Sequence, residues 1–112
     1  MKHEERMKII EDMYQKRIKV LADKGKAYAE EGDINYNFKI IAKILGLTPF
    51  QVWAVYWLKH VVCVANAIKK NPNTPVDFTE GMEGRIIDNQ NYIDILTTLL
   101  EELEQDKYGE RR

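Results

Sequence analysis

The chain is poor in the residues on which many functional sites are built. It contains one cysteine, two histidines and three prolines among 112 residues. The single thiol, Cys63, excludes a disulfide within the chain, and with only two histidines it also excludes a metal site built from cysteines. The sequence has no Walker loop, no dinucleotide-binding glycine motif, no zinc-protease motif and no serine-hydrolase elbow. The enzyme classes that depend on those motifs are therefore excluded.

The chain also lacks an excess of either charge and an uninterrupted apolar run. Seventeen lysines and arginines face eighteen acidic residues, so no overall basic field attracts nucleic acid. The longest apolar stretch, residues 50–68, has Lys59 and His60 near its middle, which a lipid-facing helix would not carry. The N-terminus is charged and has no apolar signal region. We expect a cytoplasmic protein with no membrane and no sequence-specific nucleic acid among its partners.

Nothing in the sequence alternates with period two, whereas apolar residues recur at helical spacing along most of it. The sequence therefore predicts an all-α fold with four helices in a single domain, residues 1–112. The expected division is an N-terminal helix in residues 1–23, a long loop in 24–35, a helical core in 36–105 and a polar tail in 106–112. The expected inward-facing stripe of the first helix is Met7, Ile10, Tyr14, Ile18 and Leu21.

Within the core, the second helix is predicted from Tyr36 to Leu45 and ends at Gly46. The third begins at Pro49, with Thr48 as N-cap and Gln51 as its capping-box partner. Residues 52–58 are apolar on all sides of this helix, so it has to be covered all round. A chain of this length has too few helices to do so. We therefore expect a homo-oligomer, most simply a dimer that completes the bundle.

The fourth helix, predicted to end near Gln105, combines an apolar stripe with a dense polar segment. The expected inward-facing residues are Ile86, Ile93, Leu96, Leu100 and Leu103. Residues 80–92 add two glutamates, an arginine, an aspartate, an asparagine and a tyrosine. Polar groups at this density cost stability unless they are satisfied or serve a ligand. Gly81 and Gly84, poor residues for a helix start, favour close approach of a ligand.

We expect this segment to meet Lys59-His60 of the third helix, with lysines and a tyrosine of the predicted loop acting as a flap. The candidate ligand-binding residues are Lys24, Lys26, Tyr28, Lys59, His60, Glu80, Glu83, Arg85, Asp88, Asn91 and Tyr92. The alternatives are capping glutamates, an Arg85–Asp88 surface pair, a satisfied core histidine and a solvated lysine-rich turn.

Three stretches carry a resemblance to a known family: Lys-Gly-Lys-Ala-Tyr28, Gln51-Val-Trp-Ala-Val-Tyr-Trp-Leu-Lys-His60 and Glu80-Gly-Met-Glu-Gly-Arg-Ile-Ile-Asp-Asn-Gln-Asn-Tyr92. They resemble the nucleotide-modification-associated, MazG-like domain of phages and prophages, over roughly residues 20–103. The resemblance implies an α-helical, nucleotide-handling protein that is often oligomeric and virus-encoded, and hence located in the cytoplasm of an infected or lysogenic bacterium.

The sequence departs from the MazG pattern at the catalytic positions. MazG-type pyrophosphohydrolases carry Glu-x-x-Glu on one helix and Glu-x-x-Asp on the next, and these carboxylates bind Mg²⁺. Here the fourth helix has Arg85-x-x-Asp88-x-x-Asn91, and the third offers Lys59-His60 and no carboxylate. A cationic and neutral lining suits direct contact with phosphate better than contact through metal ions.

Three hypotheses follow. The first is a binding protein without chemistry or cofactor that sequesters a cyclic or modified nucleotide, such as a host-defence signal. In it Lys59, His60 and Arg85 hold phosphate, with help from Lys24 or Lys26. The remaining candidates, Asp88, Asn91 and Glu83, read base or ribose edges, and Tyr28 or Tyr92 stacks on the base. The second hypothesis is a Mg²⁺-dependent nucleoside triphosphate pyrophosphohydrolase, with Glu80, Glu83 and Asp88 as metal ligands and His60 as acid or base. The third is a helical scaffold whose polar cluster only joins subunits.

Overall fold

The computed structural model describes residues 1–28 and 32–107; for Ala27 and Tyr28 it describes the backbone only. These residues form four α-helices and no strand, which confirms the predicted all-α class. The helices are α1 (His3–Tyr28), α2 (Tyr36–Leu45), α3 (Pro49–Lys70) and α4 (Gly81–Lys107). Helix α4 packs against both α1 and α3, and α2 packs against α3.

The α2–α3 corner follows from local chemistry and has the predicted bounds. Gly46 ends α2 in the left-handed region at φ 69°, where a residue without Cβ is favoured. Thr48 then caps α3: the Gln51 backbone N–H donates to the Thr48 hydroxyl, and the Thr48 backbone N–H donates to the Gln51 side chain. Pro49 occupies the first turn, where its missing N–H costs nothing.

A small core joins α2, α3 and α4. Its buried members are Phe38, Ala42, Val52, Trp53 and Leu99. The Phe38 ring meets the rings of Tyr56 and Tyr92 edge-on, at centroid distances of 6.2 and 6.4 Å. Three helices therefore meet around one aromatic cluster.

Two predicted boundaries are wrong. Helix α1 continues to Tyr28, so Lys24 and Lys26 lie in its last turns rather than in a loop. Gly25 does not break the helix because it costs only about 1 kcal/mol relative to alanine. Helix α4 likewise extends through Asp106 and Lys107, which were assigned to the polar tail. Residues 32–35 of the predicted loop do lie outside the helices, while residues 29–31 of the loop and 108–112 of the tail lie outside the described residues.

The stripes expected to face inward are largely bare. Met7, Ile10, Tyr14 and Ile18 of α1 are exposed, as are Ile86, Ile93, Leu100 and Leu103 of α4; Leu96 alone of the α4 stripe is half-buried. The side of α4 that is buried carries Ile87, Asp88, Asn91 and Leu99 instead. Two faces of α4 carry apolar residues, and both have helical spacing. The face that was predicted to be buried is the one that remains exposed.

Helix α3 is not covered all round by its own chain. Val55, Leu58 and Val62 are 63, 50 and 53% exposed. Among the described residues, no single helix is both long and apolar enough to span a membrane. Helices α2 and α3 together reach that length and composition across a bend of 106°.

The capping box of α3 gives a direct test of the corner. Thr48→Ala removes the hydroxyl that accepts the Gln51 N–H and should lower the free energy of unfolding by about 1 kcal/mol. Urea denaturation measures this change. Thr74→Ala, in the exposed segment after α3, is the control and should leave stability within about 0.5 kcal/mol of wild type. Equal stability of both variants would show that the cap does not hold this corner.

Candidate functional site

A polar cluster lies where α1, α3 and α4 approach one another, and Asp88 is at its centre. Its carboxylate accepts a hydrogen bond from Lys24 Nζ at 3.2 Å, and its other oxygen lies 3.7 Å from His60 Nδ1. The side chains of Asp88 and His60 are 11 and 14% exposed, whereas that of Lys24 is 59% exposed. The cluster therefore has a buried floor and one cation at its rim.

The His60 imidazole is held in an environment that disfavours its charge. Burial lowers the pKa of His60 below its ordinary value of 6.5, against the opposing effect of Asp88. The positive charges of Arg85 and Lys59 lower this pKa further, while Glu80 acts weakly in the other direction. The ring lies 5.0 Å from the Tyr92 ring, centroid to centroid. Near neutral pH, His60 is an uncharged imidazole beside a carboxylate.

Arg85 is bonded to the segment that precedes α4. Its Nε donates to Asp77 at 2.6 Å, one terminal nitrogen donates to the Thr79 hydroxyl at 3.1 Å, and the other lies 3.6 Å from the Glu80 carboxylate. Hydrogen bonds from Thr79 and Arg85 and from the backbone N–H groups of Glu80 and Thr79 hold the pKa of Asp77 far below its usual range. Arg85 therefore pairs with Asp77 rather than with Asp88, and the surface-pair interpretation is wrong.

Helix α1 is attached to α4 mainly by polar contacts. Arg17 pairs with Asp94, Lys16 Nζ donates to Glu83 at 2.8 Å, and the Asn91 amide donates to the Arg17 carbonyl at 3.0 Å. The Arg17 guanidinium also lies 5.0 Å from the Tyr14 ring. These contacts place Glu83 and Asn91, both predicted site residues, on the α1 side of α4.

The remaining predicted residues are not brought into the cluster. Lys59 is exposed and forms no ion pair with a described residue, although it is close enough to affect the pKa of His60. Lys26 is exposed near the end of α1. Tyr92 packs into the aromatic core between Phe38 and His60. The Tyr28 side chain lies outside the described residues.

The glycines do not support the predicted close approach of a ligand. Gly81 has φ 78°, so the start of α4 requires a residue that adopts the left-handed region easily. A Cβ added at Gly81 would meet nothing within 4 Å, and at Gly84 only the Glu80 Cβ, at 3.7 Å. Gly81 is explained by the turn that it makes.

The three carboxylates proposed as Mg²⁺ ligands do not converge. Glu80 faces Arg85, Glu83 faces Lys16, and Asp88 faces Lys24 and His60. Within residues 1–28 and 32–107, no group of three histidine, cysteine or acidic side chains could hold a metal ion. This chain's arrangement does not fit the four-carboxylate metal chemistry of MazG enzymes.

Two buried polar atoms of the cluster stand out. His60 Nδ1 and Asn91 Oδ1 are inaccessible and form no hydrogen bond with the described residues. A buried polar atom without a partner costs roughly 1–3 kcal/mol, so such atoms are rare in folded proteins. His60 faces Asp88 from α3, and Asn91 follows Asp88 by three residues, about one turn, on α4. Both atoms therefore belong to the neighbourhood of Asp88.

The partners that organise the cluster were not predicted from the sequence. Asp77 accepts the backbone N–H groups of Thr79 and Glu80, as an aspartate before a helix often does. This Asp-x-Thr-Glu spacing was a readable signal. The roles of Lys16 and Arg17 had no such signal, because they depend on how α1 crosses α4.

Two open depressions lie away from this cluster. One, of about 360 Å³, is an apolar groove between α3 and α4, lined by Val61, Val64, Ala65, Ile68, Ile86, Asn89 and Gln90. The other, of about 280 Å³, is acidic and includes Asp33, Asn35 and Glu102, and Lys39 bonds both carboxylates there. At the polar cluster itself, internal ion pairs engage Lys24 and Arg85.

No family model, no curated protein and no solved structure matches this chain in comparisons of its sequence and fold.

The lowered pKa of His60 predicts a pH dependence of stability. Since the unfolded chain binds a proton at His60 more readily than the folded chain, stability should be highest above about pH 6.5 and fall as the pH drops below that value. His60→Gln should flatten this dependence. The measurement is the urea midpoint from about pH 5 to 8 at one protein concentration.

His3→Gln is the matched control, because His3 lies exposed at the start of α1. It should keep the wild-type slope. A slope of equal size in wild type and His60→Gln would mean that another group produces it.

Proposed function

We propose that this chain is a nucleotide-binding protein, of the phage-type, MazG-like kind that its sequence resembles, which sequesters a cyclic or modified nucleotide without chemistry. The observation that carries the proposal is the pair of buried atoms without a hydrogen-bond partner, His60 Nδ1 and Asn91 Oδ1, in the cluster that has Lys24 at its edge. The protein would act in the cytoplasm of the bacterium that carries the phage or prophage.

In this proposal, Lys24, His60 and Lys59 contact the phosphate of the nucleotide. The Lys24 side chain is 59% exposed, so its amine can exchange its Asp88 partner for a ligand oxygen. A phosphodiester next to His60 would favour the imidazolium and offset the charges of Arg85 and Lys59. Lys59 adds a cation that no described carboxylate neutralises.

Recognition of the base or ribose is assigned to Asp88 and Asn91. Asp88 released from Lys24 can accept hydrogen bonds from an amino group or hydroxyl, and the Asn91 carbonyl accepts another. Arg85 is assigned a positioning role, because its donors are committed to Asp77 and Thr79. A stacking role for Tyr92 is not part of the proposal, since its ring packs in the core.

The absence of converging carboxylates within the described residues favours binding over hydrolysis. A panel of nucleoside triphosphates and cyclic nucleotides with Mg²⁺ tests both at once. The protein is separated from free ligand and denatured, and both fractions are analysed by mass spectrometry. Intact nucleotide in the protein fraction supports the proposal, whereas monophosphate and pyrophosphate in the free fraction would establish the pyrophosphohydrolase alternative. No retained ligand and no turnover would favour the scaffold.

The ligand retained in that panel then allows a test by substitution. Lys24→Ala and His60→Gln should each weaken binding by about tenfold or more, since each removes a donor to phosphate. Lys43→Ala removes the same charge from the exposed end of α2 and should leave the affinity unchanged. Isothermal titration calorimetry gives the affinities, and circular dichroism checks the fold. Wild-type affinity in both site variants would place the ligand elsewhere.

The pH dependence of affinity identifies the group that contacts phosphate. A cyclic nucleotide is the suitable probe, because its phosphodiester does not titrate between about pH 5 and 8. Its affinity should rise as the pH falls toward the lowered pKa of His60, since a bound anion favours the protonated ring. In His60→Gln the affinity should be flat over this range.

A further inference from the structure

The groove between α3 and α4 is the centre of a larger apolar face. On α4, Ile86, Ile93 and Leu100 are spaced by seven residues; on α3, Leu58 and Ala65 are also seven apart, and Ile68 follows three residues later. Leu58, Ile68 and these three α4 residues are between 39 and 50% exposed, and Ala65 is exposed as well. We call these six residues the bundle face.

The spacing of this face is that of helix-to-helix packing rather than of a random surface. Asn89, Leu96 and Leu103 follow Ile86, Ile93 and Leu100 by three residues, which gives the alternating steps of three and four that knobs-into-holes packing requires. The direction of packing is already set, because Trp53 meets Tyr92 while His60 meets Asp88, so that α3 and α4 run antiparallel. The face thus has the residue spacing and the antiparallel helix pair that one half of a four-helix bundle requires.

The composition of the face also argues for a partner. The cores of protein–protein interfaces are depleted in charged residues. None of the six positions of the bundle face carries a charge, and neither does any residue that lines the groove at its centre.

We infer that the bundle face binds the bundle face of a second copy of this chain. An uncharged face presents no like charges to itself, so two copies can meet about a two-fold axis without repulsion. A basic or acidic peptide would have no opposite charge to meet there. The inference does not depend on the proposed ligand, because the face lies on the side of α4 away from Asp88 and Asn91.

Sedimentation equilibrium of the full chain without nucleotide tests the inference. Wild type should be a dimer at micromolar concentration. Leu58→Glu on α3 and Ile93→Glu on α4 should each raise the dissociation constant at least about tenfold, because each buries a charge against its symmetric neighbour. Ile10→Glu, on the exposed stripe of α1, is the matched control and should dimerise like wild type. A monomeric wild type would overturn the inference. So would a result in which Ile10→Glu weakens the dimer while Leu58→Glu and Ile93→Glu do not.

Hydrogen–deuterium exchange on wild type keeps the test independent of any folding defect in the variants. Dilution below the dissociation constant should speed exchange in residues 58–68 and 86–103, and should leave residues 3–15 unchanged. Concentration-dependent protection confined to α1 would place the interface on the other exposed stripe and overturn the inference. Nucleotide retention is measured separately, so failure of either proposal can be recognised without the other.

Discussion

The contact between Trp53 and the Tyr92 carbonyl fixes the relation of the two long helices on which everything else depends. The buried indole N–H donates to that carbonyl at 2.6 Å, and its ring stacks on Trp57 at 5.3 Å. This one bond sets the register of α3 against α4. Two turns further along α3, His60 then lies beside Asp88, which is one turn earlier on α4. A slip of one turn along either helix would separate His60 from Asp88.

Helix α1 contributes to the candidate site through polar side chains. Its contacts to α4 include ion pairs with Glu83, Asp88 and Asp94 and a hydrogen bond from Asn91, and its apolar stripe before Ile18 is bare. The cation that α1 supplies to the cluster, Lys24, is 59% exposed, whereas its partner Asp88 is 11% exposed. Lys24 can therefore turn toward solvent while the carboxylate stays in place. This suits a site in which a ligand competes with an internal carboxylate.

The sequence allowed the helices to be predicted, but not which faces they bury. Thr48, Pro49, Gln51 and Gly46 act within a few residues of one another, so their capping roles could be inferred without tertiary structure. The apolar stripe of α4 could not be assigned in the same way. Residues 86, 93 and 100 and residues 87, 95 and 99 both satisfy helical periodicity, and only the docking of α3 decides between them.

The candidate site shows the same limit. The proximity of Lys59-His60 to the polar segment of α4 was predicted as a cluster, and His60 does contact Asp88, whereas Lys59 is exposed and forms no ion pair with a described residue. The side chains of adjacent residues on a helix point about 100° apart, so Lys59 and His60 cannot both be directed at the same site. Arg85 was expected to contact phosphate, but it pairs with Asp77 instead. The two residues are separated by the turn at Gly81, which adopts the left-handed region, and nothing in the sequence indicated that this turn would bring them together.

Helix α4 has three distinct sides, and each side has a different role. One side packs on α3 through Asp88, Tyr92 and Leu99, a second receives α1 through Glu83 and Asp94, and the third, with Ile86, Ile93 and Leu100, is open. A partner on the open side would cover α4 completely without touching Lys24 or His60. It would also restrain the helix on which Asp88 and Asn91 are mounted. Self-association would then hold Asp88 and Asn91 in place before the ligand binds. The conformational entropy lost in ordering α4 would be offset by the contacts of the interface, so less of the ligand's binding free energy would be spent on it.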